Sequence, residues 1–234
     1  MGRVRYRVTD LHGLLVVDKP LGLSSMDVVR RVRRAAGHCK TGHAGTLDPL
    51  ATGVVICCLG KATKLIDRLM GLTKVYESEV DLSAFTTTDD REGEREELTV
   101  ACPPSEAKLR EVLATFVGEI EQRPPMFSAI HVEGQRAYKL ARRGEEVELP
   151  SRPVRIDAIE LLRYDWPIAA IRVICGKGTY IRSLARDIGK ALGSGGHLAS
   201  LRRTAVGDYT LATAVDDARL NDPITAADLL PMPE

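Results

Sequence analysis

Residues 42–53, GHAGTLDPLATG, put three glycines, one histidine and one aspartate immediately ahead of the apolar run VVICCLG. Glycines at this density let a loop take positive φ values and let another chain come close to its backbone. Pro49 stiffens the position after Asp48 and biases Asp48 itself toward an extended backbone. A carboxylate held on a rigid loop beside a strand end is what nucleophilic or base catalysis requires. The same spacing also suits an aspartate that closes an Asx-turn on its own backbone.

Other chemistries find no footing. The histidines His12, His38, His43, His131 and His197 show no HxxxH or HExxH spacing, and the cysteines Cys39, Cys57, Cys58, Cys102 and Cys175 form no CxxC pair. Neither a metal site nor a disulfide framework is expected, and a reduced, cytoplasmic chain fits the cysteine usage. LGKATK lacks the spacing of a phosphate loop, no GxGxxG follows a strand, and no GxSxG elbow occurs. No cofactor is expected.

The elements that must position the loop are legible around it. GLLVVDKP (13–20) reads as a short buried strand stopped by Pro20, DVVRRVRRAAG (27–37) as a helix with Asp27 as N-cap, and VVICCLG (54–60) as a strand. KVYESEVDLSAF (74–85) alternates apolar and polar as a half-buried strand does. In SEAKLREVLATFVGEIEQ, Leu109, Val112, Leu113, Phe116, Val117 and Ile120 recur at helical spacing, with Ser105 as the cap. AAIRVICGKGTYIRSLARDIGKALG runs strand, turn, helix. A strand-like LRRTAVGDYTL then precedes a short helix capped by Thr225, with Asp228 three residues on. Strands and helices intermix without a βαβ rhythm, so the expected class is α+β with a mixed, mostly antiparallel sheet.

With 234 residues, 44% apolar and 28% charged, the chain can fold as one globular domain, and no Pro/Gly/Ser-rich hinge divides it. No stretch approaches 18 uncharged apolar residues, so no membrane span or signal peptide is expected. The net charge of +1 hides segregation: residues 1–40 carry +6, 77–111 carry −7, 135–186 carry +5 and 208–234 carry −5. Two basic blocks separated by acidic ones can assemble a phosphate-holding face, or be ordinary solvated helix faces.

Read as G-H-x-G-T-L-D-P-x-A-x-G, the loop resembles the catalytic loop of the TruB-type tRNA pseudouridine synthases. Further segments fall in that family's order: LLVVDKPLGLSS, LGKATKL, KVYESEV, RPPMFSAIHVEGQRAYKLARRGEEVELPSRPV, KGTYIRSLARDIG and LRRTAVG, spanning residues 13–207. The resemblance implies the pseudouridine synthase fold and isomerisation of uridine 55 in the tRNA T-arm. In that reaction the glycosidic bond breaks, the uracil turns, and it rejoins the ribose through carbon 5. Asp48 matches the catalytic aspartate, which attacks carbon 1′ or removes the proton at carbon 2′. Arg182 matches the arginine that pairs with it, Tyr76 the aromatic on which the extruded base stacks, and His43 the histidine that keeps the base outside its loop. Tyr180 and Leu201 match positions lining the nucleotide pocket, and Lys19 and Pro20 match an N-terminal motif whose role is architectural rather than catalytic, with Lys19 also expected among the RNA-contacting residues.

Residues 124–152 match an insertion that acts as a thumb on the RNA arm. Arg136, Lys139, Arg142, Arg143 and Arg152 make it basic, which suits phosphate contacts. The expected partner is thus the tRNA T stem-loop, met by a monomer with no obligatory protein partner, no metal and no membrane. Two departures stand out. The chain reads LSAFTTTDDREG where many relatives read L-G-x-x-T-D-T-x-D-x-x-G, so Ser83 replaces a glycine and Thr87 an aspartate. No further small RNA-binding module of the PUA type is expected after the catalytic fold. A guide-RNA-dependent synthase of the dyskerin kind and an RNA chaperone without catalysis are the competing readings. The joint presence of Asp48, Tyr76 and Arg182 favours an enzyme.

Overall fold

The structure, a computed structural model, describes residues 9–126, 131–132, 135–136 and 149–233. The chain divides into two compact units, one holding the described residues up to Tyr76 together with those from Leu201 onward, the other Glu77–Ser200.

In the first unit, β1 (Gly13–Lys19) pairs antiparallel with β3 (Ala51–Leu59), Gly13 opposite Leu59 and Lys19 opposite Gly53. Strand β2 (Thr41–His43) also pairs antiparallel with β3. Strands β4 (Lys74–Asp81) and β12 (His197–Val206) carry the chain from one unit into the other. The end of β12 runs parallel to β3, with Leu201 opposite Ala51 and Arg203 opposite Gly53. Strand β13 (Tyr209–Thr210) turns back antiparallel on β12. Leu14, Val16, Val54, Ile56, Cys58, Leu69 and Val206 form the core under these strands. Burial pushes the Cys58 thiol up to about 12 and raises Cys57 as well, so both cysteines act as core fillers.

Helix α1 (Ser25–Ala35) begins three residues earlier than a cap at Asp27 would place it. Its N-cap is Ser24, whose hydroxyl takes the Asp27 N–H, while the Asp27 carboxylate takes the Ser24 N–H at 3.0 Å. Asp27 is therefore the third residue of a capping box rather than the cap: the box satisfies two end donors where a lone cap satisfies one. Helix α2 (Ile66–Met70) also belongs to this unit. The expected box at Thr225 and Asp228 is present, around a single 3-10 turn, Ala226–Asp228.

In the second unit the strand order is β4, β11 (Ile168–Cys175), β10 (Arg152–Asp165), β7 (Gly118–Gln122), with β7–β10 and β10–β11 antiparallel. Strands β5 (Ala84–Thr86) and β6 (Arg95–Glu97) form a hairpin, as do β8 (His131–Val132) and β9 (Gln135–Arg136). Helix α3 (Glu106–Thr115) has the expected Ser105 cap and packs against α4 (Ile181–Leu192). Helix α3 ends at Thr115, short of the Ile120 to which the helical spacing runs. Gly118 takes φ +112°, and the residues after it are claimed by pairing with β10, Ile120 opposite Val154. Tertiary pairing overrides local periodicity there.

Candidate active site

The loop between β2 and β3 is fixed on both sides of Asp48 by groups from the same unit. Before Asp48, the Leu47 N–H donates to the Ser25 hydroxyl at 2.8 Å, and that hydroxyl donates back to the Leu47 carbonyl at 3.1 Å. After it, the Pro49 carbonyl accepts the Gly22 N–H at 2.9 Å and the Lys19 ammonium at 3.4 Å. The Asp48 carbonyl itself accepts the Ala51 N–H at 3.0 Å. Arg203, only 1% exposed, donates Nε to the Val54 carbonyl at 2.8 Å, Nη2 to Gly45 at 3.3 Å and Nη1 to Thr46 at 3.5 Å. A buried guanidinium spent on two carbonyls of the loop and one of β3 ties both to the strand from which the arginine projects.

Two buried cations therefore underlie the carboxylate's loop. Lys19, fully buried at the end of β1, also donates to the carbonyls of Pro20 at 3.0 Å and Leu23 at 2.6 Å. Burial pulls its pKa down to about 8; the Asp48 carboxylate opposes that shift, and Arg203 adds to it. His43 ends β2, and burial lowers its pKa, with Arg203 again pushing the same way, so the neutral imidazole is favoured at pH 7. Tyr76 and Leu201 lie almost buried in the same unit, Leu201 in register with Ala51, three residues beyond Asp48.

The second unit carries Tyr180 and Arg182. Tyr180 is the N-cap of α4, and Arg182, 5% exposed, directs Nη1 to the Asp90 carboxylate at 3.4 Å and to the Thr88 carbonyl at 3.3 Å. Asp90 is fixed in turn by the Thr88 hydroxyl at 2.6 Å and the Glu92 N–H at 3.0 Å. One helical turn on, Arg186 holds the Asp89 carboxylate at 2.8 Å, with Asp89 at φ +60°. Adjacent aspartates in one turn thus meet arginines spaced i and i+4 on α4.

Asp90 escaped the reading of the sequence. Its signal was there: it retains the second aspartate of the pattern from which Ser83 and Thr87 depart. Those two departures are absorbed locally. Ser83 donates N–H and hydroxyl to Asp81 at 2.9 and 2.5 Å, and the Thr87 hydroxyl accepts the Glu94 N–H at 3.1 Å. Arg203 and Gln122 were missed as well, because a buried polar side chain that serves backbone carbonyls leaves no pattern in sequence.

Arg152 lies with its guanidinium carbon 5.1 Å from the centroid of the Tyr180 ring, donating to the Gly178 carbonyl at 2.7 Å. Arg136 falls in β9, while Lys139, Arg142 and Arg143 lie outside the described residues.

Residues 33–181 match the model of the TruB family pseudouridylate synthase N-terminal domain, and residues 182–229 that of the tRNA pseudouridylate synthase B C-terminal domain. Among curated relatives, the tRNA pseudouridine synthase B of Cupriavidus metallidurans is 53% identical over 209 residues, covering 88% of this chain and 66% of the relative. That of Parabacteroides distasonis is 49% identical over 215 residues, covering 89% and 92%. Among solved structures, a chain of a Cbf5-Nop10-Gar1 complex superposes with a TM-score of 0.70 at 31% identity, covering 88% of this chain and 53% of that one. An H/ACA RNP bound to a substrate RNA containing 2'-deoxyuridine gives 0.66 at 30%, covering 88% and 51%. The chain thus spans about half the length of those solved chains and just under two thirds of the Cupriavidus relative.

Proposed function

Since the chain belongs to the TruB family of pseudouridylate synthases, we propose that it isomerises uridine 55 in the T-arm of tRNA to pseudouridine, with Asp48 as the catalytic carboxylate. The observation that carries this is the pinning of the Asp48 loop. Ser25, Lys19 and Arg203 hold the backbone at residues 45, 46, 47 and 49, so the carboxylate is presented at a fixed place. Preorganisation of this kind lets one carboxylate act on the ribose without first ordering its own loop.

The remaining roles follow the family pattern. The uracil leaves the RNA stack, rests on Tyr76 with Leu201 and Tyr180 beside it, and His43 keeps it from folding back. Arg182 pairs with Asp48 during the reaction, and the fixed Asp90 sets the direction of its guanidinium. Breaking the bond from carbon 1′ to N1 and forming one to carbon 5 leaves N1 protonated and carbon 5 without its hydrogen. The step needs no redox partner and no group donor. Arg136, Lys139, Arg142 and Arg143 hold phosphates of the T-arm, which gives binding a marked salt dependence. The enzyme works in the cytoplasm, where its tRNA is, and without an obligatory protein partner.

The guide-dependent reading has one observation in its favour, the likeness to chains of H/ACA complexes. One experiment separates the readings: an unmodified T-arm RNA hairpin is incubated with the purified chain and assayed for pseudouridine. Product from wild type without added guide RNA, and none from Asp48→Asn with hairpin binding retained, is the expected result. No product until guide RNA and partner proteins are supplied would favour the H/ACA-like reading. Binding with no product under either condition would favour the chaperone.

A further inference from the structure

Gln122 and Arg152 face each other across the two roots of the insertion, since the register of β7 and β10 sets Arg152 opposite Gln122. Both reach the same residue. Gln122 is 1% exposed, and its amide is spent at both ends on one backbone unit: Nε2 donates to the Tyr180 carbonyl at 3.1 Å, and Oε1 accepts the Tyr180 N–H at 2.8 Å. Arg152 covers the ring of the same tyrosine and anchors its own guanidinium on Gly178, two residues earlier. Tyr180 opens α4 without a side-chain cap, so these contacts govern where that helix begins, two residues ahead of Arg182.

We propose that Gln122 and Arg152 are positioning residues for the base pocket. Gln122 fixes the backbone of Tyr180 and Arg152 fixes its ring, so the two ends of the insertion together set where the aromatic meets the uracil. A guanidinium lying over an aromatic face and bonded to a carbonyl is oriented for the ring. Arg152 accordingly serves the pocket, while phosphate contacts fall to the other arginines and the lysine of the insertion. This rests on the proposed reaction, in which Tyr180 lines the nucleotide pocket.

The test is Arg152→Gln on the unmodified T-arm hairpin. Turnover should fall about tenfold, as loss of an oriented cation–ring contact implies, with the hairpin Kd and its salt slope unchanged. Weaker binding, a salt slope smaller by about one and unchanged turnover would make Arg152 a phosphate contact and overturn the proposal. In a Tyr180→Ala background Arg152→Gln should lower turnover no further, because its path through the ring is gone. An undiminished loss there would also overturn it. Gln122→Met should show the same split between turnover and binding.

The thermal midpoint of the free protein supplies a readout that needs no activity. Shifts for Arg152→Gln and Tyr180→Ala should be non-additive, and additive shifts would dissolve the clamp. If wild type left the hairpin uridine unchanged, the proposed reaction would fall, and the midpoints would still decide the clamp.

Discussion

The ammonium of Lys19 lies 3.4 Å from the carbonyl oxygen of Pro49, the residue after Asp48, and no part of the lysine is exposed. Because the same ammonium holds the carbonyls of Pro20 and Leu23, it joins the chain leaving β1 to the loop entering β3. A buried lysine so placed is a structural tie with a charge attached, and the charge can be read by titration.

Burial lowers the Lys19 pKa from 10.5 to about 8, so between those values the unfolded chain binds the proton and the folded chain releases it. Where the unfolded state binds more protons, stability rises with pH. Urea midpoints of wild type and Lys19→Met, compared at pH 7.5 and pH 10, should therefore diverge in favour of wild type at the higher pH. A difference that stays constant across that range would show that Lys19 keeps an ordinary pKa.

Gly53 tests how closely strands β3 and β12 approach below the loop. It sits at φ +105°, and a Cβ there would stand 2.1 Å from the backbone carbonyl oxygen of Arg203, which cannot swing away as a side chain could. Gly53→Ala should cost about 2–4 kcal/mol in urea unfolding, from backbone strain plus displacement of the strand that carries Arg203. Equal stability of wild type and variant would mean that the strands separate without penalty.

What the sequence discloses about this site depends on whether the chemistry is contiguous. Asp48, His43 and the glycines lie within twelve residues, so spacing alone raises the question of a presented carboxylate. Arg203 and Gln122 are different. Each serves backbone groups 58 or more residues away, and their meaning appears only once strands are in register. Asp90 is intermediate, visible in a pattern but uninterpretable until Arg182 is seen to face it. The same division runs through the fold. β1, β3 and β4 are legible from apolar runs and alternation, whereas Gly118–Gln122 reads as helix until its pairing with β10 is known.

The capping box of α1 offers a local check. Ser24→Ala should cost about 1 kcal/mol, since it removes the acceptor for the Asp27 N–H, and Asp27→Ala should cost a similar amount. The double variant should lose less than the sum, because each side chain serves the other's backbone. Strict additivity in urea unfolding would show that the two bonds act independently.

The Arg182–Asp90 pair carries the last prediction. Side-chain exposures of 6% and 4% mean that neither charge has water to fall back on. Removing one partner of a buried ion pair typically costs about 3–5 kcal/mol, because the survivor stays charged and uncompensated. Asp90→Asn keeps the shape and can still accept from the Thr88 hydroxyl and the Glu92 N–H, so its stability loss should fall at the lower end of that range. Turnover should fall further than stability explains, by about tenfold or more, because the guanidinium loses the carboxylate that fixes its direction from the side of Asp90. Asp89→Asn is the comparison: its arginine, Arg186, also donates to the Arg123 carbonyl and to Asp187, and its pair is more exposed at 13% and 14%. It should therefore lose less in both stability and turnover. If Asp89→Asn and Asp90→Asn were equally impaired in turnover, the whole turn would matter rather than the aim of Arg182. If Asp90→Asn retained full turnover, Arg182 would be oriented without it.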